Sequence, residues 1–146
     1  MTVTIENVVA EWKIDSVIND TEIQRELFKT PNIHAKYLDF FVFFKKALVQ
    51  SEKVYNKTAY LRKRYYRGEL TKDELDKYKW DQYQGLKVSS SEFNQLMAID
   101  PILVSLKEIV ESNKAAIATC EYIMKSIMSR DYLLKSAIDY NKWISG

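Results

Sequence analysis

The longest regular pattern of apolar and polar positions lies between residues 32 and 67. Apolar side chains recur there at intervals of three and four residues, which places them on one face of an α-helix. The stripe consists of Ile33, Tyr37, Phe40, Phe41, Phe44 and Leu48. No Pro or Gly interrupts residues 32–66, and Gly68 is suited to end a helix. The pattern predicts one long central helix over about residues 32–67, roughly 50 Å long at 1.5 Å per residue.

Two helical segments are predicted before the central helix. Residues 4–15 form a short amphipathic segment with Thr4 as a candidate N-cap. A second helical run opens at Asp20-Thr21. Because proline removes a backbone donor and crowds the preceding turn, Pro31 predicts a break or a kink at this point.

Two capping boxes predict short helices after the central one. Thr71-x-x-Glu74 starts a helix that we expect to run through Trp80 and Tyr83 to Gly85. Ser89-x-x-Glu92 starts another, ending near Ile99. Trp80 and Tyr83 suit either base stacking or packing against the central helix, and packing is the favoured interpretation.

The last third of the chain carries a heptad-like pattern. Asp100-Pro101 is a strong helix start, with Asp100 as the cap and proline at the first helical position. Apolar residues follow at alternating steps of three and four around a polar Asn113. Packing within one subunit and association between subunits both explain this pattern. Ser129-Arg130-Asp131 interrupts it, and a final apolar helix is expected from Tyr132 to about Trp143. We therefore divide the single domain into a core, residues 1–128, and a C-terminal oligomerisation arm, residues 129–146.

Composition favours an all-α fold of long central helix, shorter helices and terminal arm. The 146 residues include only 3 Gly and 2 Pro, too few for a turn-rich β fold. The single cysteine, Cys120, excludes an intramolecular disulfide, and no signal peptide is evident. The apolar run 40–44 is too short to span a bilayer. These features predict a soluble intracellular protein.

Charge is distributed unevenly along the chain. Residues 1–67 hold 12 basic and 8 acidic side chains, whereas residues 68–146 hold 10 basic and 12 acidic ones. The basic excess concentrates in residues 53–68, which contain no acidic residue. Cations attract phosphates and aromatic rings stack on bases, so this basic–aromatic segment predicts a single-stranded DNA site. The candidate residues are Lys53, Lys57, Tyr60, Arg62, Lys63, Arg64, Tyr65, Tyr66 and Arg67. The alternative interpretation is an ordinary solvated face with its tyrosines packed inward.

Catalytic and metal-binding patterns are missing from the sequence. There is no glycine-rich phosphate loop, and the single His34 and single Cys120 fall on different predicted helices. No candidate nucleophile lies near an obvious base. We expect no enzyme activity, no metal and no cofactor.

The chain resembles the UvsY recombination mediators of large tailed phages from about Ile18 to its C-terminus. The resemblance is clearest at Ala59 to Gly68, which is similar to the family's LKAR-x-x-YY-x-G stretch, and at Ile127 to Asp139, which is similar to its closing S-R-aromatic-x-x-K-x-x-I arm. Arg62 stands at the motif's arginine. Tyr60 stands where the motif has lysine, so Lys57, Lys63 or Arg64 must supply that cation.

This resemblance implies a mediator that binds single-stranded DNA, a RecA-like recombinase and a single-strand-binding protein in the cytoplasm of the infected host cell. It helps the recombinase to displace the binding protein and to start a filament. It also implies a hexameric or heptameric homo-oligomer built partly by the arm. The corresponding residues are Ile127, Arg130, Tyr132, Leu133, Leu134 and Ile138.

Two other classes of protein compete with the mediator. A helical scaffold that only oligomerises would show no salt-dependent DNA binding. A peripheral membrane protein would need residues 40–44 exposed, whereas their phenylalanines fall on both sides of the helix and suggest burial. We therefore expect no membrane partner.

Overall fold

The structure, a computed structural model, describes residues 3–85 and 89–146. Five α-helices and no strand occur in these residues, which confirms the predicted all-α fold. The helices are α1 (Ile5–Asp15), α2 (Ile23–Tyr66), α3 (Lys72–Tyr78), α4 (Ser90–Ile99) and α5 (Pro101–Ser145). None of them, over the described residues, has an apolar stretch long enough to cross a membrane.

The predicted helix starts are formed by side chains three residues from the groups they cap. Thr4 Oγ1 accepts the Asn7 backbone N–H at 3.2 Å at the start of α1. Both capping boxes are present, at Thr71 for α3 and at Ser89 for α4. Gly68, with φ of 69°, follows the end of α2. These local predictions are confirmed.

Of the break or kink predicted at Pro31, the break does not occur, because α2 continues through Pro31 from Ile23. Proline cannot donate the backbone hydrogen bond of that turn. The guanidinium of Arg130 contacts the same turn, where its Nη1 donates to the Glu26 carbonyl at 3.1 Å and to Thr30 Oγ1 at 3.0 Å. A side chain distant in sequence thus adds hydrogen bonds where the sequence indicated weakness.

Two other predicted boundaries are also corrected. Residues 129–131 do not interrupt the last helix, since α5 runs from Pro101 to Ser145 and buries Arg130 against Glu26. Conversely, α3 ends at Tyr78 rather than at Gly85. Lys79 adopts the left-handed conformation with φ of 57°, and the Trp80 N–H donates to the Leu75 carbonyl at 2.9 Å.

The chain forms two compact units. The first comprises Met1–Ala47 and Asn113–Gly146 and holds most of the buried apolar side chains. These are Val8, Tyr37, Phe44, Ala116, Ile117, Cys120, Ile123, Ile127 and Leu134. Trp12 packs edge-on against Tyr37 at 5.5 Å between ring centroids, so α1 packs against the N-terminal half of α2.

The second unit, Leu48–Ser112, has a different interior. Among the described residues of this unit, the buried apolar ones are Leu103 and Val110, and an arginine and an aspartate, Arg62 and Asp100, are also buried. The basic–aromatic segment lies in this unit. A polar core of this kind positions the candidate site described next.

Candidate nucleic-acid interface

The C-terminal part of α2 presents an exposed row of cations and one aromatic ring. Lys53, Lys57, Tyr60, Lys63 and Arg67 are all exposed, and Tyr60 is 63% accessible. Steps of three and four residues keep them on one side of the helix. Among the described residues none of the four cations forms an ion pair, although the guanidinium of Arg67 lies over the ring of Phe93, with its central carbon 5.0 Å from the ring centroid. We call these five residues the cation row.

Arg62, the arginine that the resemblance singles out, lies on the opposite, buried side. Its Nη2 lies 2.7 Å from Asp100 Oδ2, its Nε donates to the same oxygen at 2.8 Å, and only 8% of the residue is accessible. Tyr66 Oη donates to that oxygen as well, at 2.5 Å, and accepts from Arg62 Nη2 at 3.2 Å. The charge of Arg62 is therefore neutralised inside the second unit.

Asp100 links this cluster to the start of α5. Its Oδ1 accepts the Leu103 backbone N–H at 3.0 Å, as the predicted cap requires. Burial alone would raise the pKa of Asp100, but the hydrogen bonds from Tyr66, Leu103 and Arg62 outweigh burial and lower it. Burial would lower the pKa of Arg62, but the partners Asp100 and Tyr66 raise it. Both groups stay charged in the folded protein.

Aromatic rings enclose the guanidinium of Arg62. Its central carbon lies 4.3 Å from the ring centroid of Tyr65, 4.7 Å from that of Trp80 and 5.1 Å from that of Tyr66. Tyr83 packs edge-on against Tyr66 at 5.1 Å. The predicted packing of Trp80 and Tyr83 against the central helix is therefore observed, and the stop of α3 at Tyr78 is what directs both rings there. Tyr65 and Tyr66 are half-buried.

Arg64 has an intermediate environment. It is bidentate to Glu74, with Nη1 2.8 Å from Oε2 and Nη2 3.1 Å from Oε1. Its hydrogen bond is the main reason why the pKa of Glu74 is lowered, and Glu74 in turn raises the pKa of Arg64. The central carbon of the guanidinium also lies 6.0 Å from the ring centroid of Tyr60. Arg64 thus borders the cation row with part of its charge balanced.

A groove of about 630 Å³ opens beside the end of α2. Its lining residues combine cations, aromatic rings and small polar groups from the end of α2, the segment after α3, and α4. They are Lys63, Tyr66, Arg67, Gly68, Glu69, Tyr83, Gly85, Ser90, Phe93 and Asn94. Sequence reasoning missed Phe93 and Asn94, because a single aromatic in the first turn of a short helix has no pattern that distinguishes it from a packing residue.

The predicted oligomerisation residues are divided between the interior and the surface of the first unit. Ile127, Arg130 and Leu134 are buried. Tyr132 and Leu133 are 73% and 62% exposed. Ile138 is half-buried. Further large side chains in this part of α5, which the sequence pattern did not single out, are also exposed: Tyr122, Met128, Tyr140, Trp143 and Ile144.

The family of this chain is shown by its amino-acid sequence. The family model described as "Recombination, repair and ssDNA binding protein UvsY" matches residues 11–146. The chain belongs to the UvsY family. No match is found among curated protein sequences.

Crystal structures of the bacteriophage T4 recombination mediator protein UvsY share the fold of this UvsY-family chain. One lattice form is 18% identical, covers 97% of this chain and 99% of that chain, and has a TM-score of 0.84. A second is 20% identical, covers 99% and 100%, and has a TM-score of 0.83. A third is 18% identical, covers 94% and 98%, and has a TM-score of 0.79. The helical arrangement is therefore that of a UvsY protein over almost its entire length.

Proposed function

We propose that this chain binds single-stranded DNA through the cation row and acts as a recombination mediator. The observation that carries the proposal is the separation of charges within one short segment. Four exposed cations and an exposed tyrosine share one side of α2, while Arg62 is turned inward and paired. Residues 53 and 67 are about 21 Å apart along the helix at 1.5 Å per residue, a length that contacts several phosphates of a strand.

The proposal gives the predicted residues different roles. Lys53, Lys57, Lys63 and Arg67 contact phosphates, and Tyr60 offers its exposed ring to a base. Arg62 is a positioning residue that holds Tyr65 and Tyr66 in place from inside. The cation missing at position 60 is supplied by neighbours on the same side, Lys57 before it and Arg64 after it.

Repetition of the cation row in a homo-oligomer would strengthen a weak individual site. Linking several copies raises the effective concentration of each remaining site once one has bound, so avidity exceeds the affinity of one copy. The arm, residues 129–146, offers a surface for such assembly, since Tyr140 and Trp143 are 61% and 79% exposed. Large apolar patches of this kind are typical of protein interfaces.

The partners proposed for the assembled protein are a RecA-like recombinase and a single-strand-binding protein. A strand held along several cation rows is kept extended and is presented to the recombinase while the binding protein is displaced. The measurement is the lag time before recombinase filaments form on strands already covered by the binding protein. We expect this chain to shorten the lag, and an unchanged lag contradicts the mediator role while leaving DNA binding intact.

The DNA site is tested by the affinity for a fluorescent single-stranded oligonucleotide across a salt series. For single strands, the slope of log affinity against log salt changes by about 0.7 for each phosphate contact. The variant Lys53→Ala/Lys57→Ala should therefore bind more weakly with a slope shallower by about 1.4, if each lysine contacts one phosphate. The matched control is Lys107→Ala/Lys125→Ala, which removes two exposed lysines of α5.

Equal slopes for the test variant and the native chain would place the site elsewhere. The absence of salt-dependent binding by the native chain would favour the helical scaffold instead. Assembly is tested separately with Tyr140→Ser/Trp143→Ser, because truncation before Ser129 would also remove the buried Arg130 and Leu134. We expect this variant to keep its helix content, to sediment as a smaller assembly than the native chain, and to bind DNA more weakly.

A further inference from the structure

The groove beside the end of α2 has a composition that the cation row alone does not require. Its volume of about 630 Å³ falls within the range of about 300–1,000 Å³ that is usual for small-molecule sites. Lys63 and Arg67 belong to both the cation row and the groove. A strand that follows the row therefore reaches the groove without leaving the helix.

The charge of the groove lining favours a nucleotide over a bare phosphate. Lys63 and Arg67 contribute two positive charges, but Glu69 opposes them, so the net charge of the lining is only +1. A phosphate alone gains little there. A ligand that adds an aromatic surface to one phosphate gains more, because base–aromatic stacking supplies part of the binding energy.

The aromatic residues of the groove differ from those around Arg62 in how firmly the neighbouring arginine is held against the ring. Tyr65 and Trp80 face a guanidinium that Asp100 already neutralises. The half-buried Phe93 lies on the groove, and the central guanidinium carbon of the exposed Arg67 lies 5.0 Å from its ring centroid. Arginine and aromatic faces paired in this way are the surfaces on which unstacked bases lie. Because Arg67 is exposed and has no carboxylate partner among the described residues, a base can displace it from Phe93, whereas Asp100 holds Arg62 against Tyr65.

Polar residues complete the groove. Ser90 and the exposed Asn94 lie on α4 with Phe93. An amide side chain carries both donors and an acceptor, so Asn94 can pair with the edge of a base whose face lies on Phe93. Gly85 leaves room for the ring of Tyr83, since a Cβ at this position would lie 2.0 Å from Tyr83 Oη.

We propose that this groove accepts one unstacked base of the bound strand, with Phe93 and Tyr83 as its aromatic walls and Lys63 and Arg67 on the adjoining phosphate. This subsite deepens the proposed function and rests on it. It assigns the contribution of bases, as distinct from phosphates, to α4 and the segment after α3. The cation row then contacts the phosphate backbone of the strand, and the groove holds one of its bases.

The test separates base contacts from phosphate contacts with two variants and two probes. Phe93→Leu keeps an apolar side chain without a ring, and Phe93→Tyr keeps the ring. The probes are a thymidine oligonucleotide and an abasic oligonucleotide of equal length, measured with the full chain across the same salt series. Phe28→Leu is the control, because Phe28 is an aromatic residue of the first unit that is 79% exposed.

We expect Phe93→Leu to weaken binding of the thymidine strand by about 5- to 100-fold per occupied groove, with the salt slope unchanged. Binding of the abasic strand should be unaffected, and Phe93→Tyr and Phe28→Leu should resemble the native chain. If Phe93→Leu loses the same affinity for both probes, or loses none for either, the base subsite is overturned. The proposed function still stands in that case, provided that the native chain binds DNA in a salt-dependent way. No binding by the native chain overturns both.

A second measurement does not depend on the stability of a variant. Oligonucleotides with 5-iodouracil at one position are irradiated with the native chain, and the crosslinked peptides are mapped by mass spectrometry. Crosslinks at Phe93 or Tyr83 support the subsite. Crosslinks confined to Tyr60 overturn it and leave the cation row as the whole site.

Discussion

Two arginines, Arg62 in the second unit and Arg130 in the first, have almost the same burial and different surroundings. Both are less than 10% accessible, and both pair with a buried carboxylate distant in sequence. Arg62 pairs with Asp100, across 38 positions, and Arg130 pairs with Glu26, across 104. Both are also the arginines that align with the motifs of the UvsY family. Both motif arginines of this chain are thus buried and paired, and the residues exposed to solvent are their neighbours in sequence.

The two pairs stabilise different kinds of structure. Arg62 is enclosed by aromatic rings, and its partner Asp100 also caps α5. Arg130 instead contacts the backbone of α2, donating to the Glu26 carbonyl in the turn before Pro31. The Arg62–Asp100 pair holds a cluster of side chains together, and the Arg130–Glu26 pair adds hydrogen bonds to α2 in the turn before Pro31. Removal of a partner should therefore have different consequences in the two units.

The largest effect is expected from Asp100→Ala. Removing one member of a buried ion pair costs about 3–5 kcal/mol, because the other charge stays buried and unpaired. Loss of the helix cap adds about 1 kcal/mol. Glu26→Ala, which removes no cap, should cost about 3–5 kcal/mol. The measurement is the free energy of unfolding from urea titrations followed by circular dichroism.

Asp81→Ala provides the control for Asp100→Ala, since Asp81 is exposed in the same unit and surface substitutions change stability by about 0.5 kcal/mol or less. An Asp100→Ala chain no less stable than Glu26→Ala would show that the cap adds nothing. The difference between the two units would then disappear.

Replacement of both partners should distinguish the pairs further. Glu26→Leu/Arg130→Met should cost less than either single change, because apolar side chains of similar size remove both desolvation penalties. Arg130 Nε is also buried without a hydrogen-bond partner among the described residues, which makes this pair costly to keep. Arg62→Met/Asp100→Leu should regain much less stability relative to its single changes, because the Leu103 backbone N–H and the Tyr66 hydroxyl both lose their acceptor. Double-mutant cycles measure both, and equal recovery in the two units would contradict the comparison.

Acidification should weaken both pairs. The pKa of Asp100 is lowered by its hydrogen bonds against the effect of burial, and that of Glu26 is lowered mainly by the hydrogen bond from Lys29. A lowered folded-state pKa means that the unfolded chain binds more protons in the interval between the two values. The stabilisation is therefore full above the ordinary carboxyl pKa of about 4 and is lost as pH falls through the lower folded-state values.

The measurement is the free energy of unfolding between pH 7 and pH 2.5. In Asp100→Asn and in Glu26→Gln, the free energy of unfolding should fall less steeply with decreasing pH than in the native chain, although both variants are less stable at pH 7. We call this acidic part of the curve the acid limb. Asp81→Asn should retain the native limb. A native-like acid limb in both test variants would mean that other carboxylates determine the acid sensitivity.

The sequence predicted those features of the fold that depend on neighbours three or four residues apart. Thr4, Thr71 and Ser89 were found as caps because their acceptors and donors lie within one helical turn. The continuity of α2 through Pro31 could not be predicted, because Arg130, which contacts this turn, is about 100 residues away. The supposed interruption at residues 129–131 has the same cause, since a charged residue in an apolar stripe looks like a break until its buried partner is known.

The candidate site divides in the same way. An acid-free segment rich in cations and tyrosines is visible in the sequence, and the spacing of the cation row follows from helical periodicity. The orientation of Arg62 is not visible, because it depends on Asp100, and Asp100 was recognised only as a cap. The groove was missed for a related reason. It joins α2, α4 and the segment after α3, and no single stretch of sequence contains its pattern.

The smallest effect concerns the third member of each cluster. Tyr66→Phe removes a hydroxyl that donates to the buried carboxylate of Asp100, and hydrogen bonds to charged groups contribute about 1.5–3 kcal/mol. Thr30→Val removes an acceptor of Arg130 Nη1, which keeps the Glu26 carbonyl, so we expect a loss of about 0.5–1.5 kcal/mol. Urea titrations should therefore show a larger loss of unfolding free energy for Tyr66→Phe than for Thr30→Val. Equal losses would contradict the stronger dependence of the second unit on its buried hydrogen bonds. Because phenylalanine keeps the ring, Tyr66→Phe should also leave the salt slope of DNA binding unchanged, which separates the structural role of this hydroxyl from the contacts of the cation row.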